Sequence, residues 1–217
     1  MEYTDQNRRI FTEFAKHYIS QFKDVPISDL PWIETYTGKK WRHLNPQPED
    51  VSIFDIAHSL AGLNRYTGHL KDFYSVAQHS VLVSKACNPE DAFKGLLHDA
   101  SEAYCNDLSR PFKRSPGMEV YKIYENMSYD AICRHFNISS IEPESVKKAD
   151  MVLLATEKRD LFSQNNGVDW GIWSAGKGGL EDNTLKEKIT PWTSRKAEKM
   201  FLKRFDELQK ERSGEFD

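Results

Sequence analysis

Apolar residues recur at helical spacing through most of the chain. Over residues 4–23 they fall every three or four positions, which predicts an amphipathic helix near the N-terminus. The same spacing predicts a helix from Thr193 or Ser194 to about residue 211. Between these two, helices are predicted over 52–63, 75–86, 90–104, 119–136 and 143–163. The pattern is that of an all-α protein.

Proline, glycine and asparagine interrupt the helical pattern. Residues 33–44 carry β-favouring side chains on either side of Gly38, and they predict two short strands joined by a turn. Asp55 follows Ser52 by three residues, a spacing typical of a box that caps a helix start. Loops are predicted at 45–50, around Pro111 and Pro116, and over the Gly- and Asn-rich stretch 163–184. The expected architecture is a helical bundle with a small N-terminal β-hairpin.

The composition argues against several classes of protein and of binding partner. With 30 basic and 33 acidic side chains the net charge is −3, so a general coat on nucleic acid is not expected. No apolar run reaches the roughly 18 residues of a membrane span, and the stretch MEYTDQNRRI lacks the apolar core of a signal peptide. Cys87, Cys105 and Cys133 form no CxxC motif and are expected to stay reduced. We therefore expect a cytoplasmic protein with no membrane or polymeric nucleic acid partner.

The segment GLLHDASEAYCNDL mixes apolar residues with acidic ones and a histidine. On a wheel of about 100° per residue, the apolar residues of the 90–104 helix gather on one side. His98, Asp99 and Glu102 gather on the other side. A solvated helix face is the alternative, but such a face usually carries Lys together with Glu. The polar side is therefore a candidate site for binding a ligand.

Two more polar residues interrupt apolar stripes on other predicted helices. His79 lies in line with Val76 and Val83, and Asp150 lies on the same face as Leu153. A carboxylate in an apolar stripe is costly unless it is paired or bound to a metal ion. Each residue alone is compatible with a hydrogen-bonded core residue. Two histidines and two aspartates on three helices together indicate a mixed nitrogen and oxygen site, which suits Zn, Mn, Fe, Co or Ni.

The stretches AQHS, LLHDASEAYCNDLSRPFK and KKAD follow the order of the HD-domain phosphohydrolases: a histidine, a His-Asp pair and an aspartate. Over about residues 50–163 the sequence resembles the branch that includes bacterial 5′-deoxynucleotidases and phage dATP triphosphohydrolases. The resemblance implies an HD-domain helical bundle, which we assign to residues 51–217. Residues 1–50 and the tail match the family only loosely, and we expect residues 1–50 to form a helix and hairpin extension packed on the bundle. The resemblance also implies that the ligands of a divalent metal ion are His79, His98, Asp99 and Asp150.

Catalytic roles follow from the same resemblance. Glu102 matches the glutamate that positions or deprotonates the attacking water, and Asp107 matches a second acidic residue near the scissile phosphate. No Gly-rich phosphate loop and no GxSxG motif occurs in the sequence, so P-loop and serine hydrolase chemistry have no support.

Four further residues match positions that bind substrate. Arg65 and Tyr66 lie where relatives carry an arginine followed by an aromatic residue. Because the relatives favour Trp there, Tyr66 departs from the pattern, and simple packing stays an alternative for it. Lys113 and Lys147 match basic positions that bind phosphate, and an ordinary surface lysine is the alternative for each.

The implied activity is metal-dependent hydrolysis of deoxynucleotides. The implied cofactor is a divalent transition metal, Zn, Mn or Co, with Mg or Ni as further candidates. The basic residues of RPFKR and KK favour a dATP or dNTP triphosphohydrolase. The alternatives are a 5′-deoxynucleotidase acting on dNMPs, a nucleotide-sensing module without turnover, and a phosphodiesterase or (p)ppGpp hydrolase. The expected partners are a small nucleotide substrate and further copies of the chain, in a dimer or a hexamer.

Overall fold

The computed structural model of the protein describes residues 5–162 and 184–214. The helices are α1 (Asp5–Ser20), α2 (Ile53–Gly62), α3 (Val76–Ala86), α4 (Ala92–Leu97), α5 (Glu102–Cys105), α6 (Arg110–Lys113), α7 (Glu119–His135), α8 (Glu144–Leu161) and α9 (Ser194–Ser213). The strands are β1 (Ile33–Glu34) and β2 (Lys40–Trp41). The predicted all-α class with a small hairpin near the N-terminus is confirmed.

The hairpin forms where the sequence predicts it. β1 and β2 pair in antiparallel fashion, with Ile33 opposite Trp41 and Glu34 opposite Lys40. Gly38 turns the chain between the strands with a φ of 80°, in the left-handed region that favours glycine. The strands are shorter than the predicted segment.

Asp55 anchors this hairpin. One of its carboxylate oxygens accepts a hydrogen bond from the backbone N–H of Thr37 at 2.7 Å, and the other accepts one from the Thr37 hydroxyl at 2.9 Å. These partners differ from those of the predicted capping box, because the turn offers the carboxylate two donors that helix periodicity does not reveal.

Local capping explains where several of the predicted helices begin. α3 follows Ser75, whose hydroxyl accepts a hydrogen bond from the N–H of Gln78 at 3.1 Å. α9 follows Thr193, whose hydroxyl accepts one from the N–H of Lys196 at 3.3 Å. Pro143 directly precedes α8, where its missing N–H leaves no helical hydrogen bond unmade. These helix starts follow from the local sequence.

The helix predicted over 90–104 is not continuous, because it is interrupted after Leu97. Nδ1 of His98 donates a hydrogen bond to the Gly95 carbonyl at 2.8 Å. The N–H of Ala100 bonds the Leu97 carbonyl at 3.0 Å, in a tighter turn than that of an α-helix. The prediction of one continuous helix is therefore wrong here, and the helical wheel does not apply beyond the interruption.

The predicted loops have mixed outcomes. The region of Pro111 contains the short helix α6, because proline is tolerated in the first turn of a helix. Residues 163–183 lie outside the described residues, so the loop predicted there stays a prediction. Cys87, Cys105 and Cys133 are free thiols, as expected. Within the described ranges, every helix is too short or too polar to cross a lipid bilayer.

The chain divides into two compact units. The first unit comprises residues 1–56 and 101–140, and within it α1 and α5 both contact α7. The second unit comprises residues 57–100 and 141–217, and within it α3 contacts α4, α8 and α9. A core cluster of the second unit is formed by Tyr74, Val83, Val146, Ala149, Leu153, Leu161 and Ile189. The division into 1–50 and 51–217 that the sequence suggests stays a prediction.

Candidate metal centre

Three side chains of the second unit meet in one cluster. His79 lies on α3, His98 directly follows α4, and Asp150 lies on α8. Each offers one ligand atom, and these atoms all lie within 4.8 Å of one another. Nitrogen and oxygen donors gathered in this way can hold a divalent metal ion. We call this group the His-His-Asp cluster.

Asp99 lies beside the His-His-Asp cluster. Its Oδ2 atom is 3.2 Å from Nε2 of His98 and 3.7 Å from Nε2 of His79. Its side chain is 24% exposed, so the carboxylate is still reached by solvent. The structure therefore brings together all four residues that the sequence predicts as metal ligands, with Asp99 at the edge of the group.

Both histidine rings are held in the orientation that a metal site needs. Nδ1 of His98 bonds the Gly95 carbonyl, and a carbonyl only accepts, so Nδ1 carries the proton. Nδ1 of His79 lies 2.6 Å from Oε1 of Glu157. Within the described residues neither Nε2 makes a well-aligned hydrogen bond, although carboxylate oxygens lie 3.2 and 3.3 Å away. In the neutral rings Nε2 then bears the lone pair, which fits a bound cation.

Opposite charges hold the metal-free cluster together. Burial lowers the pKa of His98, but the Asp99 and Asp150 carboxylates outweigh it and raise that pKa from 6.5 to about 9. Burial raises the pKa of each aspartate, but the neighbouring histidines outweigh it, so both pKa values fall below the ordinary value. Without metal, a protonated His98 therefore lies among ionised carboxylates.

Metal binding is expected to release at least one proton near neutral pH, because burial lowers the pKa of His79 but Glu157 and Asp150 outweigh it and raise that pKa as well. A cation needs the lone pair on Nε2 of His98, and this atom is protonated below a pKa of about 9 in the metal-free protein. Affinity should therefore rise at least tenfold per pH unit up to that pKa and then level off. Titration calorimetry of Mn²⁺ into metal-free protein, in two buffers of different ionisation enthalpy, measures the released proton. An enthalpy that is the same in both buffers would contradict this expectation.

Arg65 and Tyr66 lie against the same group. Nη1 of Arg65 is 3.4 Å from Oδ2 of Asp99, and its Nη2 is 3.4 Å from Oε2 of Glu157. The Tyr66 hydroxyl donates a hydrogen bond to Oε2 of Glu157 at 2.5 Å, and its ring meets Phe162 edge-on with 5.1 Å between centroids. The arginine thus reaches the cluster. Tyr66 is anchored by its hydroxyl, and a role in stacking on a base stays a prediction.

Lys113 is held between two carboxylates of the first unit. Its Nζ atom is 2.8 Å from Oε1 of Glu102, which is 5% exposed, and 2.6 Å from Oε1 of Glu125. Burial lowers the pKa of Lys113, but the two glutamates outweigh it and raise it above the ordinary value. The ammonium group is therefore charged and already shared between two anions. Its role in binding phosphate stays a prediction.

The last two predicted residues are Asp107 and Lys147. Asp107 follows α5 in the first unit, and its backbone N–H donates a hydrogen bond to the side chain of Asn106 at 2.9 Å. Lys147 is exposed on α8 in the second unit, three residues before Asp150. Roles for Asp107 and Lys147 at a phosphate group stay predictions.

Comparison with known proteins gives a family. No family model matches the sequence. The chain is 38% identical over 182 residues to "Uncharacterized protein YfdR" of Escherichia coli (strain K12), a match that covers 82% of this chain and 96% of YfdR. The chain belongs to the YfdR family. It is also similar to an uncharacterized protein of Rhodobacter capsulatus, with 32% identity over 127 residues, which are 54% of this chain and 64% of that protein.

In this member of the YfdR family, sequence reasoning misses one residue of the site. Glu157 is fully buried and accepts a hydrogen bond from the Tyr74 hydroxyl at 2.9 Å, in addition to its contact with His79. It follows Asp150 by seven residues, about two turns of α8, so the two side chains lie on one face. The sequence signal that could have identified Glu157 is a second carboxylate in the apolar stripe that contains Asp150.

Gly95 supports the cluster by letting α4 approach α3 closely. A Cβ atom at this position would lie 2.9 Å from Sγ of Cys87 and 3.1 Å from Cα of Ser84. The Ser84 contact is with backbone, which cannot rotate away. The carbonyl of Gly95 is also the group that orients His98, so the close approach and the ligand geometry depend on one residue.

Replacing Gly95 by alanine is expected to destabilise the YfdR-family fold by about 1–3 kcal/mol, the usual effect of overpacking a well-filled core. Urea denaturation of the metal-free protein measures it. Gly62→Ala is the matched control, because a Cβ there meets nothing within 4 Å at the end of α2. The control should be as stable as the wild type or slightly more stable. Equal stability of Gly95→Ala and the wild type would show that the two helices can separate freely.

Proposed function

We propose that this protein is a metal-dependent phosphohydrolase that acts on deoxynucleotides. The observation that carries the proposal is the His-His-Asp cluster, in which three elements supply ligand atoms within 4.8 Å of one another. Both rings have Nδ1 engaged and Nε2 turned towards the carboxylates. The sequence resemblance to HD-domain phosphohydrolases supplies the chemical class. The cluster contains three of the four residues that the resemblance assigns as metal ligands, and the fourth, Asp99, lies beside it.

The residues that would hold the ion are His79, His98, Asp150 and, at the edge, Asp99. A divalent ion bound there would lower the pKa of a coordinated water to about 7 and polarise a phosphoryl oxygen. The lowered pKa values of the two aspartates keep them ionised, which is the form that binds a cation. Because the candidate ligands are imidazole and carboxylate groups, Zn, Mn and Co are the first metals to test, followed by Mg and Ni.

The chain's own charged groups would handle the substrate. Arg65 would offer its guanidinium group to a phosphate oxygen in exchange for its 3.4 Å contacts with Asp99 and Glu157, since a planar donor pair suits that geometry. Glu102 would accept a proton from the attacking water, the role that the resemblance assigns to it. Its near-complete burial favours a carboxylate that keeps a fixed orientation.

The second candidate is a 5′-deoxynucleotidase acting on dNMPs, and the surroundings of Lys113 favour it over the triphosphohydrolase. A triphosphate requires several cations that are free to bind phosphate. The Lys113 ammonium group, which the triphosphate prediction uses, is already neutralised by Glu102 and Glu125. A monophosphate carries less charge and requires fewer cations, so the arrangement suits a dNMP better.

A substrate panel tests the proposal. The protein is purified without chelator and without a nickel column, and its metal content is measured. The panel of dNMPs, dNTPs, their ribonucleotide counterparts, cyclic nucleotides and (p)ppGpp is then offered with Mn²⁺, Co²⁺, Zn²⁺, Mg²⁺ or Ni²⁺. Orthophosphate from dNMPs supports the nucleotidase, and inorganic triphosphate from dNTPs supports the triphosphohydrolase. Binding of nucleotide without turnover would favour a sensor. Turnover confined to cyclic nucleotides or (p)ppGpp would exclude deoxynucleotides as the substrate. The dimer or hexamer stays a prediction, and sedimentation analysis of the purified protein tests it.

A further inference from the structure

Glu157 receives four groups on one buried carboxylate. Oε1 lies 2.6 Å from Nδ1 of His79 and accepts the Tyr74 hydroxyl at 2.9 Å. Oε2 accepts the Tyr66 hydroxyl at 2.5 Å and lies 3.4 Å from Nη2 of Arg65. The Glu157 side chain has no exposed surface. A buried carboxylate is expensive to desolvate, so its retention on α8 calls for a reason other than packing.

The two histidines of the cluster provide an internal comparison. His98 donates from Nδ1 to the Gly95 carbonyl, which is sufficient to orient a ring. His79 uses Glu157 instead, although a neutral acceptor would orient it equally well. A carboxylate adds negative charge behind the ring, and this makes Nε2 a stronger donor to a cation. A carboxylate also has two oxygens, and so it has lone pairs left for further donors, whereas a carbonyl has one oxygen.

Two of the additional donors, Arg65 and Tyr66, come from a strained turn. Tyr66 and Thr67 both have a φ of 55°, and Gly68 follows with a φ of 79°. Left-handed conformations of residues other than glycine are strained and persist only where the surroundings impose them. The Tyr66 hydroxyl reaches Glu157, and the backbone N–H of Arg65 donates to the Tyr74 carbonyl at 2.9 Å. Glu157 is therefore the common anchor of this turn and of His79.

We propose that Glu157 is a positioning residue that fixes the ligand His79 and the Arg65–Gly68 turn in a single arrangement. This inference rests on the proposed metal-binding function of the His-His-Asp cluster, and it does not depend on which nucleotide is the substrate. One carboxylate then sets the donor strength of a metal ligand and the place of the arginine that faces Asp99. Loss of its charge should weaken metal binding directly, whereas loss of the Tyr66 hydroxyl should disturb the turn alone.

Titration calorimetry of Mn²⁺ into the metal-free full chain tests whether the Glu157 charge and the Tyr66 hydroxyl affect metal binding differently. Glu157→Gln keeps the size and one acceptor of the side chain, and it should weaken Mn²⁺ binding by about 10- to 100-fold. Tyr66→Phe should leave Mn²⁺ affinity unchanged and raise KM for the substrate found in the panel. Glu144→Gln, an exposed glutamate at the start of the same helix, is the matched control and should change neither quantity.

The His79 ring supplies a second readout that a purely structural role would not move. The Nδ1 proton of His79 should give a strongly downfield NMR signal in the metal-free wild type, and Glu157→Gln should shift it upfield. Glu157→Asp serves if the glutamine variant does not fold. Aspartate retains the charge but its carboxylate is one methylene further from the ring, so Mn²⁺ affinity should again fall.

The outcomes separate this inference from the proposed function. Wild-type Mn²⁺ binding together with equal affinity in folded Glu157→Gln or Glu157→Asp would overturn the positioning role and leave the metal site standing. Equal weakening by Tyr66→Phe and Glu157→Gln would also overturn it, because the effect would then come from the turn. A wild-type protein that binds none of the divalent metals would overturn the metal site and this inference with it.

Discussion

Replacing Asp150 by asparagine is expected to remove metal binding and hydrolysis together. The carboxylate lies 3.3 Å from Nε2 of His79 and is the only acidic member of the His-His-Asp cluster. A neutral amide of the same size is a poor ligand and leaves the charge of a divalent ion less balanced. The loss of affinity should exceed the roughly 10- to 100-fold that removal of an outer hydrogen-bond partner costs. Elemental analysis of the purified variant and a Mn²⁺ titration measure it.

Two aspartates provide the comparison for this result. Asp206→Asn changes an exposed aspartate of the second unit and should leave metal content unchanged. Asp99→Asn decides whether Asp99 is a ligand or only the partner of Arg65. A ligand role predicts a loss as large as that of Asp150→Asn. Stoichiometric metal of wild-type affinity in Asp150→Asn would refute the cluster as a metal site.

Features with local signals could be predicted from the sequence. α3 and α9 begin where expected because Ser75 and Thr193 each reach an N–H three residues further on. Members of the His-His-Asp cluster could be predicted from the sequence for a similar reason. A polar residue in an apolar stripe, such as His79 or Asp150, is conspicuous without knowledge of its neighbours, since it would be costly to bury without a partner.

Features that depend on distant partners could not be predicted in this way. The pairing of Lys113 with Glu125, which lies on another helix, has no local signal in the sequence. Asp55 was expected to cap its own helix, but it binds Thr37 in the hairpin turn. Periodicity states which side of a helix is buried, but it contains no information about which donor will reach a buried carboxylate. A helical wheel also assumes a regular helix, and the chain departs from one after Leu97.

Replacing Glu102 by glutamine is expected to lower kcat by roughly 10²- to 10⁴-fold while metal affinity stays the same. Glutamine fills the same space but cannot accept a proton from an attacking water. The four predicted metal ligands are other residues, so the ion should still bind. Steady-state kinetics with the substrate from the panel, combined with a Mn²⁺ titration of the same variant, measures both quantities.

Lys113 makes a matched control available, because it bridges Glu102 and Glu125 at 2.8 and 2.6 Å. If Glu102 served only to hold Lys113, Glu125→Gln would remove an equivalent partner and lower kcat about equally. A proton-accepting role predicts instead that Glu102→Gln loses far more activity than Glu125→Gln. It also predicts that the acidic limb of the kcat profile against pH disappears in Glu102→Gln alone. Equal losses with the acidic limb retained would mean that Glu102 positions Lys113 and that another group accepts the proton.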